Sequence, residues 1–476
     1  MYYHRKFGIM KHKCGGWLRA CLDKERCAQA WLFFHRKYFQ AFAYISVKQK
    51  RTYKNRVHKV RYIMANIFKK IRKKRRRKKL LAQKENLEHV QAAEKDEEDY
   101  HQRLKRHRYA AMRRTLLIAG AVVAAAAAVL IFIEKRSYHN YRVVLTSEQE
   151  DVVSTNYEEM DGGILRYSPD GAALVNSNLD ASWSVLYEMQ NPVADVNGDK
   201  AVIADVDGTT LEIFDSDGET GSVTTSYTIV KARISQSGLV AAILDGGDST
   251  WINYYDSDGT LLVENQTHIE DPGYPMDVAL SDSGNIMMVT YQFVDGSNTT
   301  SYVAFYNFGD VGQNEDDRIV SGYTYDGVVI PQVEYLDASH SATLRDDGFT
   351  IYSGQQIPKE STTVEVDEEI VSTFIAEDTI GMVFKNEDGE DAYTMNVYSA
   401  GGKLRFSKSF NIPYTTIKIS GDSILLYNDS QICVYNSRGV QKYSGTVDGS
   451  INDFIKIGWN RYLLVMDSGV SVIKFS

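Results

Sequence analysis

From Tyr138 onward, apolar and polar residues alternate in short runs rich in Val, Ile, Tyr and Thr, and clusters of Gly, Asp, Ser and Asn separate the runs. A period of two broken by turn formers is the pattern of half-buried strands, so this part of the chain is predicted to be all-β. The runs also repeat. An apolar alternation ending in a bulky residue, followed by a small polar turn, returns as LEIFDSDG (Leu211–Gly218), INYYDSDG (Ile252–Gly259), YVAFYNFG (Tyr302–Gly309), FTIYSG (Phe349–Gly354), MNVYSAGG (Met395–Gly402) and ICVYNSRG (Ile432–Gly439). Aligning Phe214, Tyr255, Tyr306, Tyr352, Tyr398 and Tyr435 gives steps of 41, 51, 46, 46 and 37, and weaker copies at Val175 and Ile473 add steps of 39 and 38. A period near forty residues with four strands per unit is the signature of β-propeller blades.

Individual units can be parsed. VKARISQSG, LVAAILDGG, WINYYDSDG and TLLVENQTH read as the four strands of one blade, and YTTIKISGD, SILLYND, QICVYNSRG and VQKYSGT as those of another. The last unit offers only SINDFIKIGW, RYLLVMD and VSVIKFS, while YRVVLTS (Tyr141–Ser147) stands alone far upstream. Pairing the orphan run with the short unit would close the ring and remove its exposed edges. This parse gives eight blades over residues 138–476; seven is the alternative, because the first unit is the least regular.

A different pattern precedes the strands. Thr115–Ile133, TLLIAGAVVAAAAAVLIFI, is nineteen residues without a charge, fenced by Arg113 and Arg114 before it and by Glu134, Lys135 and Arg136 after it. As a helix it would be roughly 28 Å long, close to the hydrocarbon thickness of a bilayer, so a single transmembrane helix is predicted at 115–133. It begins too far into the chain for a cleavable signal peptide and reads as a signal anchor. Residues 1–114 hold 34 Lys and Arg against 9 Asp and Glu, whereas residues 115–476 hold 20 against 53. Basic flanks stay inside, which puts the N-terminus in the cytoplasm and the propeller outside the plasma membrane.

Within the basic, mainly helical or partly disordered segment 1–114, the densest run is Lys69, Lys70, Arg72, Lys73, Lys74, Arg75, Arg76, Arg77, Lys78 and Lys79. Such a run suits the anionic lipid of the cytoplasmic leaflet, and aromatic residues from Trp17 to Tyr44 suit an interfacial position. Charge that only fixes topology is the plainer alternative. Nucleic acid is a third, and the weakest for a segment tied to a membrane. Cys14, Cys21 and Cys27 lack the spacing of a metal knuckle, and Cys433 is the single cysteine after the apolar run, so no intrachain disulfide is expected there.

With these features in place the chain resembles an uncharacterised family of clostridial single-pass membrane proteins whose outer domain is a quinoprotein-like or WD-repeat-like propeller. The phrases ILRYSPDG and SWSVLYEMQNP, together with the order basic segment, helix, propeller, carry the resemblance over roughly residues 115–476. It implies fold and topology and brings no chemistry with it. True quinoprotein enzymes carry a regular tryptophan in each blade, whereas only Trp183, Trp251 and Trp459 occur here, so no quinone cofactor is inferred.

Catalytic signatures are missing from the positions where their structural context would require them, and His139, His268 and His340 are scattered. No catalytic, cofactor or metal residue is assigned. Asp-rich turns at Asp205–Gly208, Asp215–Gly218, Asp256–Gly259, Ser281–Gly284 and Asn386–Asp391 lack the ligand spacing of a calcium loop and read as hairpin turns. The expected function is that of a non-enzymatic binding or scaffold module for a protein, glycan or cell-envelope partner. An enzyme or cofactor-binding propeller with its site in the central funnel, and a transmembrane signalling component, are the alternatives.

Overall fold

The computed structural model of the chain describes residues 73–74, 97–147, 154–268, 272–387 and 391–476. Of the basic run, only Lys73 and Lys74 lie among the described residues, where they are helical and exposed; the remaining positions from Lys69 to Lys79, and most of segment 1–114, lie outside them. Two compact units divide the chain, 1–124 and 125–476. Helix α1, Glu97–Lys135, contains the whole apolar run Thr115–Ile133. Among the described residues, no helix is long and apolar enough to cross a membrane, so the transmembrane expectation rests on the sequence.

Among the described residues, thirty-two strands then form eight antiparallel sheets of four. Seven sheets are built from consecutive strands: blade 1 spans 156–186, blade 2 192–224, blade 3 228–267, blade 4 274–326, blade 5 332–365, blade 6 370–410 and blade 7 416–446. Blade 8 combines Ile451–Gly458, Arg461–Met466 and Gly469–Phe475 with Tyr141–Ser147 as its outermost strand. That strand runs antiparallel to Gly469–Phe475 over six residue pairs, from Tyr141 opposite Phe475 to Ser147 opposite Val470. The ring therefore has eight blades, closed by the strand that the hydrophobic pattern left without a partner.

The middle strands of each blade are buried on both faces, which is why they read as continuous apolar runs such as Val240–Asp245 and Ser423–Tyr427. Outer strands alternate, as in Leu261–Thr267 and Ile319–Asp326. Eight apolar clusters fill the seams between neighbouring blades, one per seam. All eight aligned motif residues fall on third strands. In blades 1 to 7 the register with the fourth strand slips at that residue, so the repeated aromatic-then-turn motif marks a recurring β-bulge. Blade 4 accounts for the step of 51 through its second and third strands, each ten residues long; two short 3-10 turns follow between its third and fourth strands, within the next step of 46.

The Asp-rich turns at 205–208, 215–218, 256–259 and 281–284 all join adjacent strands of one blade. Gly259 and Gly284 adopt φ of 85° and 70°, the left-handed conformation such turns require. In the last turn, at Asn386–Asp391, residues 388–390 lie outside the described set.

Because strands alternate in direction, the turns after first and third strands lie at one end of the ring. Turns after second strands and the connections between blades lie at the other. The chain arrives from α1 at the first of these ends, since Tyr141 pairs with Phe475 at the close of a third strand. We refer to it as the α1 end, and to its opposite as the far end.

Candidate functional site

The eight innermost strands line the central channel, and seven of them bring ionisable side chains to its wall. They are Glu158 and Glu159 in blade 1, Asp195 in blade 2, Lys231 and Arg233 in blade 3, Asp277 in blade 4, Glu334 in blade 5, Lys418 in blade 7 and Asp453 in blade 8. Blade 6 contributes Ser372, which accepts a hydrogen bond from the Tyr414 hydroxyl at 2.8 Å.

Arg233 is the hub of one half of the wall. Its guanidinium lies 2.8 Å from Asp195 Oδ1, 3.5 Å from Asp277 Oδ2 and 3.6 Å from Glu334 Oε2, so one side chain reaches blades 2, 4 and 5 from blade 3. Lys231 Nζ adds a 2.7 Å contact to Asp277 Oδ1. In the other half, Lys418 Nζ and the Tyr427 hydroxyl donate to Asp453 Oδ1 at 2.6 and 2.7 Å. Several of these carboxylates also bind backbone. Ile234 N–H donates to Asp195 Oδ2 at 2.7 Å, and Val333 N–H to Asp277 Oδ2 at 3.0 Å, so each aspartate pins the innermost strand of a neighbouring blade. Asp277 is fully buried and meets this cost with two cations and two amides, the arrangement a buried carboxylate needs.

Glu158 and Glu334 differ from the aspartates. Both touch the channel's solvent, yet eight blades of protein surround them, and this desolvation pushes each carboxyl up to about 7. For Glu158 the neighbouring Lys418 opposes the rise, while Asp453 and Asp195 add to it. For Glu334, Arg233 opposes and Asp195 and Asp277 add. Burial would lower the Arg233 guanidinium, but the carboxylates of Asp195, Glu334 and Asp277 outweigh it and hold the charge firmly in place. The channel is thus a mixed-charge wall whose two least constrained carboxyls change protonation near neutrality.

Sequence patterns alone did not single out any of these residues. Their partners lie far apart in the chain, 38 residues for Arg233 with Asp195 and 56 for Asp277 with Val333 N–H, and each sits in an ordinary strand such as VADVN or MDVAL. The scattered histidines stay scattered. His340 bonds its own turn through Asp337, at 2.9 Å, and His268 forms an isolated bridge to Pro272. Cys433 is buried between blades 6 and 7 with its thiol pushed up by desolvation. No group of three or more His, Cys, Asp or Glu side chains suited to a metal ion occurs among the described residues.

Fold and channel together define an eight-bladed β-propeller closed by its own N-terminal strand. Residues 134–475 match the family described as Family of unknown function (DUF5711), and the chain belongs to it. No curated protein matches. Among solved structures, the chain is similar to BamB from Moraxella catarrhalis, at 13% identity and a TM-score of 0.45 over 71% of this chain and 100% of that one. It is also similar to Chaetomium thermophilum Sqt1, bound to the N-terminus of the ribosomal protein L10, at 13% identity and a TM-score of 0.42 over 72% and 100%. The Neurospora crassa Pan2 WD40 domain aligns at 9% identity and a TM-score of 0.36 over 60% and 88%.

Proposed function

We propose that this chain is a membrane-anchored, non-catalytic binding module: segment 1–114 in the cytoplasm, one crossing at 115–133, and the propeller outside, where its far end takes a protein or glycan partner. The observation that carries the binding role is the closed ring. Pairing Tyr141–Ser147 with Gly469–Phe475 gives blade 8 the same four strands as the other seven and makes a platform whose loops at the far end stand clear of the arriving chain. Anchoring is supported by α1, where Leu116, Leu117 and Ile118 are 65, 66 and 65% exposed within a run that carries no charge. Apolar side chains left this open on a long helix suit lipid better than water.

Affinity capture from detergent-solubilised membranes tests this reading. One reproducible extracytoplasmic partner should be recovered with the full chain, and lost when charge-reversing substitutions are placed at Glu368 and Glu369, in the connection between blades 5 and 6 at the far end. Absence of any partner across crosslinking conditions would sink it.

A second reading has an observation of its own, the convergence of ionisable groups from seven blades on the channel. It favours a ligand or reaction centred there. Against it, Asp195 and Asp277 each accept a backbone amide from the innermost strand of the next blade, which makes them strand-pinning groups first. Glu158→Gln with Glu334→Gln separates the two readings: partner capture persists if the channel is structural.

A further inference from the structure

Trp459 is 73% exposed, at the tip of the turn between the first and second strands of blade 8. A tryptophan offers one of the largest apolar surfaces of any side chain, and leaving it in water is unfavourable. Its neighbour Asn460, at φ 52°, donates from Nδ2 to the Phe475 carbonyl at 2.8 Å and accepts from Phe475 N–H at 3.3 Å. Phe475 is the residue opposite Tyr141, and Ser476 exchanges hydrogen bonds with Asn140 at 2.8 and 3.2 Å. Trp459 therefore stands on the turn that is bonded to the very point where the chain arrives from α1.

The last turn of α1 is fastened beside it. Lys442 Nζ in blade 7 donates to the carbonyls of Glu134 at 2.5 Å and Arg136 at 3.2 Å, capping the helix end, and the Arg438 guanidinium pairs with the Glu134 carboxylate. Tyr138 N–H donates to the Lys442 carbonyl at 2.7 Å, and the Arg136 guanidinium lies over the Tyr138 ring. Basic residues gather in this sector. Arg438 lines one groove together with Lys403 and Arg405 of blade 6. Three of the acids nearby are held, Asp378 by Arg405 at 2.6 Å, Asp422 by Lys456, and Glu134 by Arg438, while Glu377 lines the same groove. At the same end of the ring, the turns of blades 1 to 3 carry Asp161, Asp199, Asp217 and Asp258 instead.

We propose that the α1-end sector of blades 6, 7 and 8 lies on the lipid surface, with Trp459 at the acyl boundary and the surrounding lysines and arginines meeting lipid phosphates. Tryptophan is enriched at that depth of a bilayer, and cationic side chains beside it gain from anionic headgroups. The inference rests on the anchoring reading, which brings this sector to the bilayer. It goes beyond that reading in assigning a face of the propeller to the membrane. The opposite half of the same end, with its aspartates, is tilted away.

Bromolipid quenching of the full chain in nanodiscs tests it. The Trp459 signal is the difference between the wild type and Trp459→Phe, a change at an exposed site that leaves the fold intact. That signal should fall by roughly half or more in brominated lipid, as for a ring within about 10 Å of the acyl boundary. The fall should be deeper in phosphatidylglycerol than in phosphatidylcholine, and Lys403→Glu should remove that difference. Quenching by aqueous acrylamide but not by bromolipid, in chains that co-elute with the discs, overturns the docking proposal and leaves anchoring in place. Equal quenching in the two lipids overturns the role of the basic residues. Failure to co-elute with the discs overturns anchoring, and docking with it.

Discussion

Removing the closing strand should cost the propeller a large part of its stability. A chain beginning at Tyr138 keeps Tyr141–Ser147, while one beginning at Asp151 loses it and leaves Gly469–Phe475 as a bare edge. Six residue pairs disappear, together with the Thr146–Ser471 hydroxyl contact at 3.3 Å. At about 0.5–1.5 kcal/mol net per hydrogen bond, the ladder contributes a few kcal/mol. Tyr141 packs on the cluster between blades 7 and 8, and Leu145 on the one between blades 8 and 1. Both are partly buried, so each adds about 1 kcal/mol. The total is about 5 kcal/mol, against a typical domain stability of about 5–15 kcal/mol. Differential scanning calorimetry should place the shorter chain about 7 °C lower, and size-exclusion chromatography should show it self-associating through the exposed edge. Equal melting temperatures and equal monodispersity would refute the reasoning, because they would mean that six paired residues contribute nothing to closure.

Other consequences follow from the channel and the seams. Glu334 holds its proton up to about 7 in the folded channel, whereas an unfolded glutamate releases it near about 4.3. The folded state then binds more protons across that window, so its stability falls as pH rises from about 4.5 to about 7. Glu334→Gln should flatten the fall, as read from urea midpoints at about pH 5 and about pH 8, and an unchanged slope would rule out this carboxyl as its source. Asp277→Ala leaves Lys231 and two backbone amides without their buried acceptor and should cost about 3–5 kcal/mol in chemical denaturation, with Asp277→Asn costing less. Gly381 lies opposite Phe374, whose ring would collide with an added Cβ. Gly381→Ala should therefore lower stability by about 1–3 kcal/mol, and a neutral result would show that the blade 6 seam can yield.

Blade architecture was legible because burial on both faces and turn chemistry write themselves locally. The strand series of blades 3 and 7 fall where alternation and Gly placed them, and the orphan run Tyr141–Ser147 found its partner because a three-strand unit needs a fourth. Eight blades, and not seven, follow from the weak first unit, whose Val175 still marks a third strand with its bulge. The channel was not legible. Its charges meet through closure of the ring, and Arg233 joins Glu334 across two blade boundaries that carry no sequence signal. Trp459 was visible as a residue but not as an exposed one, since a lone tryptophan between Gly458 and Asn460 looks the same whether it is packed or open.

Closure also sets an order of events during synthesis. Thr146 and Ser471 are 325 residues apart, so the strand made first must wait for the strand made last. At about 5–20 residues per second, that interval is roughly 16–65 s. Throughout it, blades 1 to 7 can each fold on local strands, but the ring stays an open arc with Tyr141–Ser147 unpaired at its beginning. A nascent chain of this protein therefore carries a waiting edge for most of its time on the ribosome, and any factor that shields extended segments has its natural target there.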